Sequence, residues 1–469
     1  MSKVYSKIER ISFIILFITS KLFVSQLIAQ DSDTQAFTIK KLYEEALSQQ
    51  MSYKWLYFLS EKIGGRLAGS PQSLSAIEFT HQVLDSLNTT KVWNQPCEVK
   101  YWYRGEKEQA RIINNSILGS KDINILALGG SASTGKDGLV GEIVEVKSLD
   151  EAKALGIKLK DKIVFFNRAF NNANLRTFNS YGESVDQRVF GPNLASKLGA
   201  KACIVRSMTG KLDDLPHTGV TIFEPQFSPI PSVAVSTNDA EILSSLVKRS
   251  KVEIFIRTSC EDRGTKTSYN VIGEIKGSEK PNEIILVGGH LDSWDVGGGA
   301  HDDGAGCVHS MDVFYLLKRI NYTPKRTLRC VLFMNEENGL SGGKTYSEES
   351  AKAGEYHYAA LESDSGGFVP KGFSYDSDSS TLKNYTPFFA EWSNLLSPYD
   401  IKFVKGGSGA DIGPLKAQKG ILFGLTPDSQ RYFDFHHTAA DRIDAVHPRE
   451  LALGSAAMAS LVYLLDQTP

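Results

Sequence analysis

The chain has 469 residues, of which 41% are hydrophobic and 23% charged, a composition typical of soluble globular proteins. This length is sufficient for two domains with a large core. The formal net charge of −2 argues against a nucleic-acid-binding protein, whose domain would carry a basic surplus.

Residues 1–30 have the pattern of an export signal. Lys3, Lys7 and Arg10 precede an apolar run, and Lys21 interrupts the apolar sequence that follows. A basic start before a short apolar stretch is typical of a secretory signal peptide, and the interruption argues against a membrane span. The alternative is an amphipathic helix kept in the mature protein. We therefore predict a secreted or periplasmic protein with no membrane span after processing.

Three segments with different hydrophobic patterns follow the signal. Residues 31–120 begin with amphipathic helical patterns and continue into strand-like sequence. Residues 121–265 consist mainly of short β-type runs separated by turns, which predicts an inserted β-rich domain. In residues 266–469, strand-like and helical runs alternate, as expected of a mostly parallel sheet with flanking helices. The sequence therefore predicts an α/β main domain, made from the first and third segments and interrupted by the second.

Polar side chains gather where the strands of the third segment end. His290 follows a buried strand pattern, and a Gly-rich turn after it carries Asp292 and Asp302. Later strand patterns lead into Glu336-Glu337, Asp364 and His436-His437. Because parallel strands place their carboxyl ends at one edge of a sheet, these groups should meet there. Imidazole and carboxylate groups are suitable ligands for divalent metal ions.

The sequence lacks the motifs of several other kinds of functional site. No Gly-x-Ser-x-Gly sequence is present, so a serine hydrolase would have no nucleophile elbow. The five cysteines show no zinc-finger or Cys-x-x-Cys spacing, and no disulfide pairing can be assigned from them.

Four sequence runs resemble the M28 family of co-catalytic zinc peptidases. They are HLDSWDVGGGAHDDGAG, MNEENG, ESDSGG and FHHTAAD, and GGRLAGS near residue 64 matches the N-terminal part of that family. The inserted segment resembles a protease-associated (PA) domain through KIVFFNR and GAKACIVRS. The resemblance implies a zinc aminopeptidase-like α/β catalytic domain with an inserted PA-like domain.

The resemblance also implies a role for each site residue. Two zinc ions would share Asp302 as a bridging ligand, with the remaining ligands divided between the ions: His290 and Asp364 for one, Glu337 and His437 for the other. Glu336 would serve as general base and acid, taking a proton from the attacking water and passing it to the leaving amine. Asp292 would hold the second imidazole nitrogen of the first histidine ligand.

The position of each residue within these runs indicates which of two adjacent residues is the ligand. His437, rather than His436, matches the histidine that precedes the outer carboxylate, Asp441. Asp303 is expected to start the following helix and not to bridge the metals. The resemblance further implies that the loop GGSGADIG lines the substrate pocket, with Ser408 and Asp411 as substrate-binding residues. The alternative is that this loop is only a Gly-rich turn.

These features predict an exported di-zinc exopeptidase that hydrolyses dipeptides or short peptides with free termini. They leave open which terminus is recognised. The alternatives are a non-catalytic binding protein on the same scaffold and a one-zinc acyltransferase of the glutaminyl cyclase type. Short peptides are the expected partners, nucleic acid is not, and the resemblance also suggests a homodimer.

Overall fold

Two eight-stranded sheets organise residues 33–469, the part of the chain that the computed structural model describes. The predicted signal, residues 1–30, lies outside these residues. Within residues 33–469, no helix is both long and apolar enough to cross a bilayer. The strands are β1 Lys91–Tyr103, β2 Gln109–Asn115, β3 Gly119–Ile123, β4 Ile125–Ala127, β5 Leu139–Val146, β6 Ile163–Phe166, β7 Ala202–Arg206, β8 Ser232–Val235, β9 Glu253–Arg257, β10 Glu261–Ile275, β11 Lys280–His290, β12 Arg326–Phe333, β13 Tyr356–Glu362, β14 Pro370–Asp376, β15 Lys402–Lys405 and β16 Ile421–Pro427.

Helices cover both sheets and several short helical turns connect them. The α-helices are α1 33–49, α2 Met51–Tyr57, α3 Pro71–Ser86, α4 Leu149–Leu155, α5 Thr177–Ser184, α6 Asp186–Val189, α7 Gly191–Lys197, α8 Thr237–Val247, α9 Ala305–Arg319, α10 Ser341–Lys352, α11 Ser379–Leu396 and α12 Pro448–Gln467. Two π-helical turns span Phe58–Ile63 and Ala300–Gly304, and 3₁₀ turns span Gly156–Leu159, Ser397–Tyr399, Gly413–Gln418, Tyr432–Asp434 and Ile443–Ala445.

The first sheet belongs to the main domain and has the order β1-β10-β12-β11-β13-β16-β14-β15. Its central strands β12, β11, β13 and β16 are parallel, while β1, β10 and β14 add antiparallel pairs at the sides. Every residue of β12 is buried, because helices cover both faces of this sheet. Alternate residues therefore enter different cores: Val287 and Cys330 the larger one, Leu286 and Val331 the smaller. The predicted α/β fold with a mostly parallel sheet is confirmed.

The second sheet lies wholly within an insertion between β1 and β10. Its order is β3-β2-β9-β5-β6-β7-β8-β4, and β5 to β8 run parallel. Because β1 and β10 pair antiparallel, with Trp102 opposite Asp262, the chain leaves and re-enters the main sheet at adjacent points. The predicted boundaries at 121 and 265 need correction, since β2 and β3 belong to the second sheet and residue 265 lies inside β10. Strand patterns alone do not reveal which sheet a strand joins, so the insertion corresponds to the segment between Tyr103 and Glu261.

A buried ion-pair cluster fixes the root of the insertion to the main domain. Arg104, directly after β1, is 3.2 Å from Glu108 and 2.6 Å from Asp295, which lies in the Gly-rich turn after β11. The same guanidinium donates to the Ala127 carbonyl at the end of β4. The first turn of the insertion is thus tied both to its own sheet and to the turn that carries the candidate site residues.

Candidate active site

The predicted site residues meet at the carboxyl edge of the parallel strands. His290 ends β11, Glu337 follows β12, Asp364 follows β13, and His437 lies in the segment after β16. Asp302 reaches the same place from the π-helical turn that precedes α9. The convergence expected from a parallel sheet is therefore present in the structure.

Asp302 lies at the centre, between two groups of side chains. Its Oδ1 is 3.3 Å from His290 Nε2, which is itself 3.4 Å from Asp364 Oδ1. Its Oδ2 is 3.2 Å from His437 Nε2, and this nitrogen is 3.1 Å from Glu337 Oε2. One carboxylate oxygen thus faces each group, which is the arrangement required of a ligand shared by two cations.

The donor set suits divalent metal ions. Ligand atoms of His290, Asp302 and Asp364 lie within 4.8 Å of one another, as do those of Asp302, His436 and His437. Within the described chain, Asp302 Oδ2 is buried and has no hydrogen-bond donor, although a buried carboxylate oxygen requires a compensating charge or donor. Imidazole nitrogens and carboxylate oxygens fit zinc, so the residues present are compatible with two such ions.

The two adjacent histidines are not equivalent. His436 Nε2 is 3.6 Å from Asp302 Oδ2, and its ring stacks on His437 with a centroid separation of 3.6 Å. Within residues 33–469, His437 Nε2 also forms a close pair with the Glu337 carboxylate, at 3.1 Å, and His436 does not. The geometry therefore favours His437 as the ligand in the second group, with His436 packed against its face.

A residue of the insertion, Thr218, holds His437 in place. The Thr218 N–H donates to the His437 carbonyl at 3.0 Å, and His437 Nδ1 is 3.1 Å from the Thr218 carbonyl oxygen. Nδ1 is the donor in this second contact, which leaves the Nε2 lone pair directed at Asp302 and Glu337. His437 has a left-handed φ of 63°, which is uncommon outside glycine and is maintained by these contacts. No sequence pattern indicated a role for Thr218.

Asp292 acts differently from the prediction. His290 Nδ1 is 3.0 Å from the backbone carbonyl of Asp292 and 4.0 Å from its carboxylate. The carboxylate instead accepts the N–H groups of Asn335 at 2.6 Å and Glu336 at 3.0 Å. These N–H groups have no strand partner once β12 has ended. Because the turn is buried, they need a hydrogen-bond acceptor within the protein. The predicted side-chain contact is therefore replaced by a backbone one, and the carboxylate positions the turn that carries Glu336 and Glu337.

Two further carboxylates fix the backbone around the bridging position. Asp303 accepts the N–H of Gly306 at 2.9 Å and that of His290 at 3.0 Å, so it links the start of α9 to the end of β11. Asp441 accepts the Asp302 N–H at 3.1 Å. Asp303 thus starts the helix as expected, and Asp441 supports Asp302 from outside.

Burial and close charges displace the acid–base equilibria of the site. Desolvation raises the pKa of Glu336 well above its usual range, and it raises the pKa of Glu337, together with the Asp302 charge, to about 7. Burial would lower the pKa of His437, but Glu337 and Asp302 raise it to about 10. Protons therefore compete with cations for these groups.

A cavity of about 500 Å³, here called the site cavity, opens above these residues. Its walls come from both domains, since Tyr432 and Phe433 belong to the main domain and Phe178, Tyr181 and Arg188 to the insertion. The volume is within the range of small-ligand pockets. The insertion thus forms part of the site itself.

Ser408 and Asp411 do not line the site cavity, contrary to their predicted role. Both are buried, and Asp411 packs against Gly343 near the start of α10. The neighbouring Glu362 carboxylate accepts the N–H groups of Ala410 and Ile412, at 3.0 and 2.9 Å. These bonds anchor the second half of the loop, with Ser408, Asp411 and Ile412 buried, while Gly406, Gly407 and Gly409 remain exposed.

Arg66, from the GGRLAGS run, organises the Gly-rich turn of the site. Its side chain is fully buried and donates to the carbonyls of Leu291, Gly298 and Gly299 at 2.6, 2.8 and 3.1 Å. The Gly299 carbonyl also accepts the Gly304 N–H, whereas the carbonyls of Leu291 and Gly298 have no second donor among residues 33–469. A single guanidinium, with its several donors in a fixed plane, satisfies all three.

We expect Arg66→Met to lower the free energy of unfolding by about 3–5 kcal/mol, because it leaves the buried carbonyls of Leu291 and Gly298 without a donor. Denaturant titration of the variant and the parent protein measures this difference. Arg111→Met is the control: Arg111 is an exposed residue that pairs with Asp122 at 2.6 Å, and its removal should cost less than about 1 kcal/mol. Equal effects of the two substitutions would contradict the role given to Arg66.

The comparison with known proteins decides the family. Residues 270–462 match the model of peptidase family M28. Carboxypeptidase Q from Bos taurus is 32% identical over 422 residues, which cover 89% of this chain and 86% of that protein. Carboxypeptidase Q from Xenopus laevis is 34% identical over 421 residues, with the same coverage. The chain belongs to peptidase family M28. It is accordingly a metallopeptidase, as the resemblance predicted.

Solved structures agree with this assignment. The crystal structure of a peptidase M28 precursor from Shewanella amazonensis is 33% identical, has a TM-score of 0.87, and matches 93% of this chain and 98% of its own. A zinc aminopeptidase from Bacillus subtilis is 21% identical with a TM-score of 0.63, covering 88% of this chain and 94% of that one, which shows a common fold. The M28 fold thus extends over nearly all of the described residues.

Proposed function

We propose that this M28 protein is an exported di-zinc exopeptidase that hydrolyses dipeptides or short peptides with free termini. The observation that carries the proposal is Asp302, whose two oxygens lie 3.3 and 3.2 Å from histidine nitrogens of separate groups. Export rests on the basic and apolar pattern of residues 1–30.

The two groups of side chains on either side of Asp302 would supply the ligands of the two zinc ions. His290 and Asp364 would hold one ion and Glu337 and His437 the other, with Asp302 shared between them. When bound, the zinc ions supply Lewis acidity to the scissile carbonyl and make water a competent nucleophile near neutral pH. A one-zinc acyltransferase would need only one of these groups, and a binding protein would need neither.

Glu336 is placed for proton transfer. It lines the site cavity next to Glu337, and the Asp292 carboxylate fixes its backbone N–H. As water attacks the peptide carbonyl, Glu336 takes a proton from that water. It then returns the proton to the amine nitrogen while the C–N bond breaks, which regenerates the carboxylate.

The shape of the cavity supports removal of terminal residues. The insertion roofs the site with Tyr181, Arg188 and Ile222, which restricts the room for a chain that continues on both sides of the scissile bond. Holding a peptide by its end in such a cavity also fixes the carbonyl in the reactive geometry. The names of the relatives, carboxypeptidase Q and zinc aminopeptidase, describe exopeptidases of both directions.

Blocked and free peptides test the exopeptidase proposal. We expect the zinc-loaded protein to hydrolyse free dipeptides rapidly and to leave a long peptide with acetyl and amide caps intact. Mass spectrometry of the digests measures both reactions. Internal cleavage of the capped peptide at a rate comparable with free dipeptides would refute the exopeptidase assignment, and the two-metal chemistry would remain.

A further inference from the structure

A second cavity of about 520 Å³, here called the side cavity, lies where the insertion meets the main domain. The main domain contributes walls from β1, from β10 and from the turn after β12. The insertion contributes two segments, 130–133 and the stretch between 220 and 229. The volume is in the range of small-ligand pockets, and the proposed hydrolysis leaves this space without a role.

The side cavity adjoins the site cavity along a shared wall. Val220, Ile222 and Asn338 line both cavities. Asn338 directly follows the proposed zinc ligand Glu337 in sequence, so the shared wall lies beside the reacting groups. The side cavity therefore offers room for the part of a peptide that continues past the two residues joined by the scissile bond.

The shared wall presents an apolar side chain to solvent on a fixed backbone. Ile222 is 52% exposed at the junction of the two cavities. Its N–H donates to the Val189 carbonyl at 2.9 Å, and the N–H of the preceding Thr221 donates to the Gly129 carbonyl at 2.9 Å. The side chain is thus held at the junction, and a ligand that covers it removes apolar surface from water.

The rest of the lining is mainly apolar. Apart from the shared wall, its apolar members are Trp102, Phe223, Pro225, Phe227 and Pro229. Apolar and aromatic side chains grouped in a concave wall are typical of a ligand site. They favour an apolar or aromatic ligand group over a polar one.

The charged members of the lining do not favour an ion of either sign. Lys100 and Asp262 carry opposite charges. The Glu224 carboxylate is already engaged, because it pairs with Lys197 and accepts the Asn193 side-chain amide at 3.1 Å. A neutral side chain is therefore the ligand group that fits.

One wall of the side cavity is rigid and packs towards the catalytic edge. The Trp102 indole N–H donates to the Ser131 carbonyl at 3.0 Å, which joins β1 to the insertion. The Trp102 ring meets Trp294 edge-on, with centroids 6.3 Å apart, and the Trp294 ring lies 5.7 Å from that of His437. A wall that is already in place requires little ordering when a ligand binds.

We infer that the side cavity binds the third residue of substrates longer than a dipeptide, counted from the end that is cleaved, and prefers a large apolar side chain there. This inference rests on the proposed exopeptidase function and extends it to oligopeptides that continue on one side of the scissile bond. Binding at a distance from the reacting atoms raises kcat/KM through the apolar surface that it buries.

Tripeptides test the preference. Alanyl-alanyl-alanine with an isotope label at one end first shows, by mass spectrometry, which terminal residue is released. The residue at the opposite end is then changed to phenylalanine, glycine or aspartate. We expect kcat/KM for the phenylalanine peptide to exceed that for the glycine peptide by about tenfold or more, the gain expected when an aromatic side chain leaves water. The aspartate peptide should resemble the glycine peptide.

The outcomes separate this inference from the proposed function. Equal kcat/KM for the phenylalanine and glycine peptides, or hydrolysis of alanyl-alanine without hydrolysis of any tripeptide, would overturn the inference while the exopeptidase function stood. Failure to hydrolyse alanyl-alanine and all of the tripeptides would instead count against the proposed function.

Two variants alter the side cavity in opposite ways. Ala132 lines the side cavity but not the site cavity, and its hydrogen bonds with Ile230 and Thr258 are made by its backbone. Ala132→Trp fills the space and should bring the ratio of kcat/KM for the phenylalanine and glycine peptides close to one. Phe227→Ala removes part of the aromatic wall and should lower this ratio several-fold.

Ala154→Trp is the matched control, since Ala154 is an exposed residue of α4 that lines neither cavity. It should retain the parental ratio. Because the ratio compares two substrates on one sample, a loss of folded protein affects both rates equally and cancels. If Ala132→Trp and Phe227→Ala both kept the parental ratio, the third residue would bind elsewhere and the inference would fail.

Discussion

Replacing Glu336 with Gln should lower kcat by about 10²–10⁴-fold, the contribution typical of general acid–base catalysis. The substitution preserves the shape of the side chain and the backbone N–H contact with Asp292 at 3.0 Å, but it removes the group that accepts the proton. Steady-state assays on a free dipeptide, with zinc content measured on the same sample, provide the test. The zinc content should match that of the parent protein.

Glu348→Gln is the control for this experiment. Glu348 lies in α10, outside the lining of the site cavity, and its substitution removes the same charge without touching the site. Its kcat should equal that of the parent. If Glu336→Gln turned over dipeptides at nearly the parental rate, another group would have to move the proton.

The second large effect concerns metal content. The parent protein, reconstituted with zinc, should bind close to two equivalents per chain, and a strong chelator should abolish its activity. Asp302→Asn should bind clearly less zinc and lose about 10³-fold or more in kcat/KM, because it removes the one charged ligand that both sites would share. A loss of that size corresponds to several kcal/mol of transition-state stabilisation, the scale of metal-ion catalysis.

Asp400→Asn provides the matched control, since Asp400 is an exposed carboxylate that contacts Lys371 at 3.5 Å beside the outermost strand β15 and does not line the site cavity. Its zinc content and activity should remain parental. Saturation of the parent protein at one equivalent with full activity would refute the two-metal site, whatever the behaviour of the variants.

The sequence predicted the catalytic edge because its signals are local. Each buried strand pattern ends directly before a His, Asp or Glu, and a parallel sheet then brings those ends together without further information. His290, Asp364 and Glu337 could therefore be placed correctly from their strands. The choice of His437 over His436 depended on the family resemblance, and the contact of His437 with Glu337 at 3.1 Å favours it.

What the sequence could not predict are contacts between distant parts of the chain. Thr218 and His437 are 219 positions apart, and neither a period nor a motif links them. Arg188 is inconspicuous in sequence, because its place in the wall of the site cavity becomes apparent only in the folded protein. The Asp292 carboxylate was expected at an imidazole, although the free N–H groups after β12 lie closer to it.

The family resemblance was a poor guide in one loop. It implied that Ser408 and Asp411 line the substrate pocket, whereas the glycine beside Ser408 lets the backbone approach Glu362: a Cβ on Gly409 would lie 2.2 Å from the Glu362 carboxyl carbon. A glycine-rich sequence permits both outcomes. Only the position of the buried carboxylate decides between them.

The contact between Thr218 and His437 limits how this enzyme could be miniaturised. The ends of the insertion emerge side by side, with Tyr103 opposite Glu261, so a protein engineer could join β1 to β10 by a tight hairpin and discard more than a hundred residues. The remaining sheet would still carry His290, Asp302, Glu337 and Asp364. The shortened protein would, however, lack the carbonyl that orients His437 and the amide that secures its left-handed backbone. An inserted domain is often treated as a separable part, but here a residue of the insertion holds a histidine in the active site of the main domain.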